Sequence, residues 1–99
     1  MTITERKNET TVELVVAGRL DTTTAPQLES KLQECTQNMK TLLLDLQNVE
    51  YISSAGLRIV LLAHKMMTAT GGQMSVRNPS PFCRQIFEAT GMDAVLSFV

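Results

Sequence analysis

The feature that most constrains this chain is a strand that runs almost directly into a long apolar helix. Leu42-Leu43-Leu44-Asp45-Leu46 reads as a strand broken by Gln47-Asn48, and Val49 to Ile52 leads out of it. An apolar helical run then extends from Leu57 to about Thr70. Between them lies Ser53-Ser54-Ala55-Gly56. A strand–helix–strand succession requires a crossover, and crossovers join parallel strands. The two serines admit two readings. Serine is a favoured N-cap because its oxygen accepts a hydrogen bond from a free N–H of the first turn. A helix N-terminus also carries roughly half a positive charge and unpaired donors, so it accommodates a phosphate.

The same grammar extends along the chain. Thr2 to Lys7 and Thr11 to Leu20 read as a hairpin turning at Asn8-Glu9-Thr10. In the second strand Val12, Leu14, Val16 and Leu20 share one face, opposite Glu13, Val15, Ala17 and Arg19. After the loop Asp21 to Thr24, Pro26 suits the first turn of a helix. That helix is expected from about Ala25 to Gln37, with Leu28, Leu32 and Cys35 buried at i, i+4, i+7.

In the central helix one stripe, Leu57, Val60, Leu61 and His64, is expected inward. A second, Ile59, Leu62, Ala63 and Met66, lies round the cylinder. The surplus divides between core and a surface for a partner. Gly71-Gly72 stops the helix. Gln73 to Arg77 is a strand with Met74 and Val76 inward. Ser80-Pro81 opens a helix whose apolar side carries Phe82, Ile86 and Phe87, and Ala94 to Val99 is a last strand with Leu96 and Phe98 on one side.

These elements predict an α/β fold in one domain, residues 1–99, with a mixed, mostly parallel sheet of four to five strands. An N-terminal hairpin puts its first strand at an edge. The half-polar strands place the helices mainly on one face, since strands covered on both faces would be apolar on both.

Several function classes lack support. A net charge of −1, with no basic run beyond Arg6-Lys7, gives no electrostatic reason to bind nucleic acid. Met1 to Thr10 has no apolar leader, and no apolar run approaches the ~20 residues of a membrane span, so a cytoplasmic protein without membrane insertion is expected. Cys35 and Cys83 read as free, part-buried thiols. The single histidine, His64, lies ten positions beyond Ser54 on the same expected helix, about 15 Å away at ~1.5 Å per residue, too far to activate it. There is no phosphate-loop pattern and no metal-ligand cluster, so neither an enzyme nor a cofactor is expected.

Gly18-Arg19-Leu20-Asp21 with Thr24-Ala25, the run Leu42 to Leu46, and Val49 to Leu57 resemble landmarks of the STAS domain family. So do Gly71-Gly72, Ser80-Pro81 and Phe87 to Met92. Within that family the chain resembles the small bacterial anti-sigma factor antagonists. The resemblance implies a partner that is both anti-sigma factor and serine kinase, and a serine phosphatase that resets the cycle. It implies Ser54 as the phosphoacceptor and Asp21 as a nearby acidic residue that aids partner binding. With the surplus helix surface, the expected partner-binding set is Asp21, Thr22, Ser53, Ser54, Ala55, Gly56, Arg58, Ile59 and Leu62. The chain departs from the family in two places: Ser53 stands where an acidic residue is frequent, and Ala55 follows the acceptor. Those departures keep a second reading open, a non-phosphorylated adaptor subunit of a transporter or sensory complex.

Overall fold

A computed structural model describes residues 1–99. The elements run β1 (Thr2–Lys7), β2 (Thr11–Leu20), α1 (Ala25–Cys35), β3 (Thr41–Ile52), α2 (Ser54–Ala69), β4 (Gln73–Arg77), α3 (Pro81–Thr90) and β5 (Ser97–Phe98). A 3₁₀ turn, Met92–Ala94, precedes β5. The five strands lie in sequence order, β1-β2-β3-β4-β5. The β1/β2 pair is antiparallel and the other three pairs are parallel.

Three successive parallel crossovers step in one direction across this sheet. With the usual right hand, they deliver all three helices to the same face. Burial follows that geometry. Val12, Leu14, Val16, Leu42, Leu44, Leu46 and Val76 are fully buried and Met74 nearly so. Their alternating neighbours Glu13, Val15, Leu43, Asp45, Ser75 and Arg77 are only half-buried. The uncovered face is held by charge. Glu13 accepts from Arg77 Nη1 at 2.8 Å, and Arg6 Nη1 stands 3.8 Å from its other oxygen. One core of 22 buried residues lies between sheet and helices.

Four local expectations need correction. β3 is not broken at Gln47-Asn48: it continues to Ile52 with two register shifts against β2. Between Val15 and Ala17 of β2, β3 advances from Asp45 to Asn48; between Gly18 and Arg19 it advances from Val49 to Tyr51. Each shift inserts one extra residue into β3, as a β-bulge does. The bulges let Leu46, Val49 and Ile52, at odd spacing, all point inward. Asp45 Oδ1 supports the first bulge by accepting from the Gln47 N–H at 3.0 Å. Second, α1 ends at Cys35 rather than Gln37, and Thr36 closes it by donating its hydroxyl to the Leu32 carbonyl at 2.6 Å. Third, the last strand is two residues long, because Met92–Ala94 coils into the 3₁₀ turn; Leu96 is buried and Phe98 is exposed. Fourth, Cys35 and Cys83 are fully rather than partly buried, and burial pushes both thiols up from their ordinary value.

The rotation of α2 also differs from the expected stripe. Its inward ridge is Gly56, Ile59, Val60, Ala63 and Met67, while Leu57, Leu61 and His64 are half-buried at its edge. With apolar side chains almost all round, period alone cannot fix which side faces in. Gly56 helps to set it. A Cβ there would lie 2.6 Å from the Leu20 carbonyl oxygen, 2.8 Å from Leu20 Cγ and 2.9 Å from Ile52 Cγ1. Only a residue without a side chain lets the helix start approach β2 this closely.

Candidate functional site

The site sits at the carboxyl ends of the neighbouring parallel strands β2 and β3. The register pairs Leu20 with Ile52, so the residues after each strand emerge side by side. Asp21 opens the β2–α1 loop, and Ser53 opens α2. The Ser53 N–H donates to the Leu20 carbonyl at 3.0 Å, which ties the two loops together.

Ser53 and Ser54 play different parts. Ser53 is extended (φ −94°, ψ 176°), and its hydroxyl accepts from the Gly56 N–H at 3.4 Å. It is the N-cap. Ser54 is the first helical residue; it is exposed and its hydroxyl makes no hydrogen bond within the protein. Capping is thus satisfied one residue earlier, and the Ser54 oxygen is left facing solvent.

Asp21 is built into a tight turn. Its Oδ1 accepts from the Thr23 hydroxyl at 2.8 Å, the Thr23 N–H at 3.0 Å and the Thr24 N–H at 3.2 Å. In return, Thr24 Oγ1 accepts from the Asp21 N–H at 2.9 Å and donates to the Arg19 carbonyl at 2.8 Å. The Thr23 hydroxyl is the main cause that holds the Asp21 carboxyl below its usual range; burial opposes it, and the N–H groups of Thr23 and Thr24 add to the lowering. Asp21 is therefore a fixed anion beside the start of α2. Thr22, at the tip of the turn, is exposed.

Beside this turn is a pair that sequence reasoning did not single out. Arg19 is registered opposite Tyr51. Its guanidinium carbon lies 4.3 Å from the Tyr51 ring centroid, and its Nε lies 3.5 Å from Asp21 Oδ2. Tyr51 in turn packs on Phe82 of α3, with ring centroids 5.4 Å apart. The available signal was the alternation that put Arg19 on the outward face of β2; pairing it with Tyr51 needs the bulged register.

Of the remaining expected residues, Arg58 is exposed, Leu62 and Ala55 are half-buried, and Gly56 is buried against β2. Ile59 is 2% exposed and belongs to the core ridge, so it offers a partner no surface. On a wheel of 3.6 residues per turn, Ser54, Arg58, Leu61 and Lys65 fall along the outer line of α2, with Leu57 and Leu62 flanking it. His64 is on the same helix as Ser54 and ten residues beyond it, and its Nδ1 is buried without a hydrogen-bond partner. No group of three His, Cys, Asp or Glu side chains is placed to hold a metal ion, and no helix is long and apolar enough to cross a membrane.

The chain belongs to the STAS domain family, which matches residues 2–99. It is 29% identical over 91 residues to the anti-sigma-B factor antagonist of Bacillus subtilis (strain 168), covering 92% of this chain and 84% of that one. It is 30% identical over 81 residues to the anti-sigma-B factor antagonist of Staphylococcus aureus (strain NCTC 8325 / PS 47), covering 81% and 75%. Among solved structures, an anti-sigma factor antagonist from Mycobacterium paratuberculosis superposes with a TM-score of 0.86 at 26% identity, over 98% of this chain and 83% of that one. The anti-sigma factor antagonist SpoIIAA, in its unphosphorylated form, has the same fold: TM-score 0.83, 22% identity, 99% and 88% coverage.

Proposed function

We propose that this protein is an anti-sigma factor antagonist controlled by phosphorylation of Ser54. In this reading its partner is an anti-sigma factor that is also a serine kinase. The unmodified protein binds that partner, the phosphorylated protein does not, and a serine phosphatase restores binding. The relatives support the role by their names. The fold is also that of a protein solved in both unphosphorylated and phosphorylated forms. The observation that carries the reading is the division of labour between the serines: Ser53 caps α2, and Ser54 presents an uncommitted, exposed hydroxyl on the next residue.

The magnitudes favour a surface switch. A phosphate adds a charge of about −1.5 to −2. At the start of α2 the helix dipole favours it by about 0.3–1 kcal/mol. The fold therefore survives the modification. A like charge placed against a partner costs several kcal/mol, and each ~1.4 kcal/mol is tenfold in affinity. The proposed binding face is Asp21, Thr22, Ser53, Ser54, Ala55, Gly56, Arg58 and Leu62, joined by Arg19 and Tyr51. The half-buried apolar residues Leu57, Leu61 and Leu62 give it area.

The test is to incubate the protein with the candidate kinase and ATP and map the phosphate by mass spectrometry. Binding of wild type, Ser54→Ala and Ser54→Asp to that kinase is then compared. Phosphate on Ser54, with the Asp variant and the phosphoprotein binding at least tenfold more weakly than the Ala variant, is the expected result. Tight binding without phosphate on Ser54 would instead identify a constant adaptor, the reading that Ser53 and Ala55 favour.

A further inference from the structure

Arg58 lies one helical turn beyond Ser54 on the outer line of α2. It is exposed, and the ion pairs of the molecule engage Arg6, Arg19, Lys31 and Arg77 but not Arg58. Its helix offers it no anion. From Ser54 to Ala69, α2 carries Arg58, His64 and Lys65 and no carboxylate. The acid of the adjoining loop, Asp21, already holds Arg19 and the Thr23 hydroxyl.

The geometry of a helix gives this free cation a direction. Long helical side chains lean toward the N-terminus, over the turn that precedes them. Residues at i and i+4 have Cβ atoms about 5–6 Å apart, and an anion at i with a cation at i+4 is the favourable order. Ser54 and Arg58 occupy those positions. A phosphate ester on Ser54 would place three acceptor oxygens within reach of the guanidinium fork, whose donors match phosphate geometry.

We infer that Arg58 is the internal counter-ion of a phosphate on Ser54. The inference rests on the reading of Ser54 as the acceptor and adds a second effect to it. Modification brings negative charge to the binding face and also withdraws a free cation from it. A partner that meets Arg58 in the unmodified protein loses that contact at the same moment that it meets the phosphate.

The experiment uses the full chain with phosphoserine installed at position 54 during translation, so that no kinase is needed. Phosphorus NMR follows the second ionisation of the phosphate, ordinarily near pH 6. Arg58 favours the dianion, so the wild-type phosphate should ionise roughly half a unit lower than in Arg58→Gln, about threefold in its dissociation constant. Arg58→Lys should recover part of the shift, and added salt should shrink it. Superimposable titrations of wild type and Arg58→Gln overturn the inference. Unphosphorylated Arg58→Gln should match wild type in circular dichroism and melting temperature, since Arg58 makes no ion pair to lose; should it fail to fold, the equally uncharged Arg58→Met takes its place in the titration. The parent reading fails separately. Phosphoprotein that binds the kinase as tightly as unmodified protein refutes the switch, whatever the titration gives.

Discussion

The starts of α2 and α3 use the same chemistry to opposite ends. Each helix is entered through a serine in extended backbone, with φ −94° at Ser53 and −60° at Ser80. Each hydroxyl accepts from the N–H three residues on. The Ser80 bond, to Cys83, is 3.1 Å and buried, with Ser80 only 6% exposed. The Ser53 bond, to Gly56, is 3.4 Å and partly open. The next residue then separates the two ends. After Ser80 comes Pro81, which has neither a hydroxyl nor an N–H to offer. After Ser53 comes Ser54, with a free hydroxyl. A serine cap is a structural device wherever it occurs. A candidate site arises where a second hydroxyl follows the cap and a fixed anion, Asp21, stands on the adjoining loop.

The largest effect that would test this contrast comes from Gly56, which seats the start of α2 against β2. Gly56→Ala should destabilise the fold by about 1–3 kcal/mol, because the Leu20 carbonyl cannot give way to a Cβ as a flexible side chain would. Urea denaturation measures it; an unchanged midpoint would mean that the close approach does not hold the helix in place. Next is the buried cap. Ser80→Ala should cost about 1–2 kcal/mol by the same measurement. Ser53→Ala should cost less, about 0.5–1 kcal/mol, because its hydrogen bond is longer and less buried. If the two losses were reversed, the contrast between the helix starts would collapse. Ser54→Ala should stay within about 0.5 kcal/mol of wild type while removing the proposed phosphoacceptor.

The smallest effect is one of pH at Asp21. Its carboxyl is lowered on folding by the Thr23 hydroxyl and the Thr23 and Thr24 N–H groups. The linkage therefore has a definite sign. The contribution is complete above the ordinary aspartate range and is lost as pH falls through the lowered folded value. Amide hydrogen exchange at Thr23 and Thr24 should accelerate, relative to the intrinsic rate, as the solution is acidified into that window. Asp21→Asn should abolish the pH dependence.

How much of this was legible in the sequence varied with the residue. β2 declared itself, because Val12, Leu14, Val16 and Leu20 share one face, Glu13 and Arg19 mark the other, and one register satisfies them all. The Ser80-Pro81 start was equally plain, since cap and proline agree. The rotation of α2 was not, because apolar residues on nearly every side leave the period degenerate, and Ile59 was consequently assigned to the surface when it is core. β3 looked broken at Gln47-Asn48 because bulges use the same polar residues that end strands. At the site, Ser53, Ser54 and Asp21 were visible as types in order. The Arg19–Tyr51 stack was hidden, since it depends on a register that two inserted residues have shifted.

The sequential order of the strands has a consequence for how the molecule comes into being. No strand has to be threaded between two that are already paired, because each lies next to its predecessor along the chain. A polypeptide emerging from its N-terminus can lay β2 on β1, then β3 with α1, then β4 with α2, each time onto a finished edge. The loop closures needed are those of single crossovers, which keeps the entropic barrier to each addition low. By this order, Asp21 is in place before Ser54 is made, and the two loops of the face proposed for the switch are joined once α2 docks, before Phe82 of α3 arrives to pack on Tyr51.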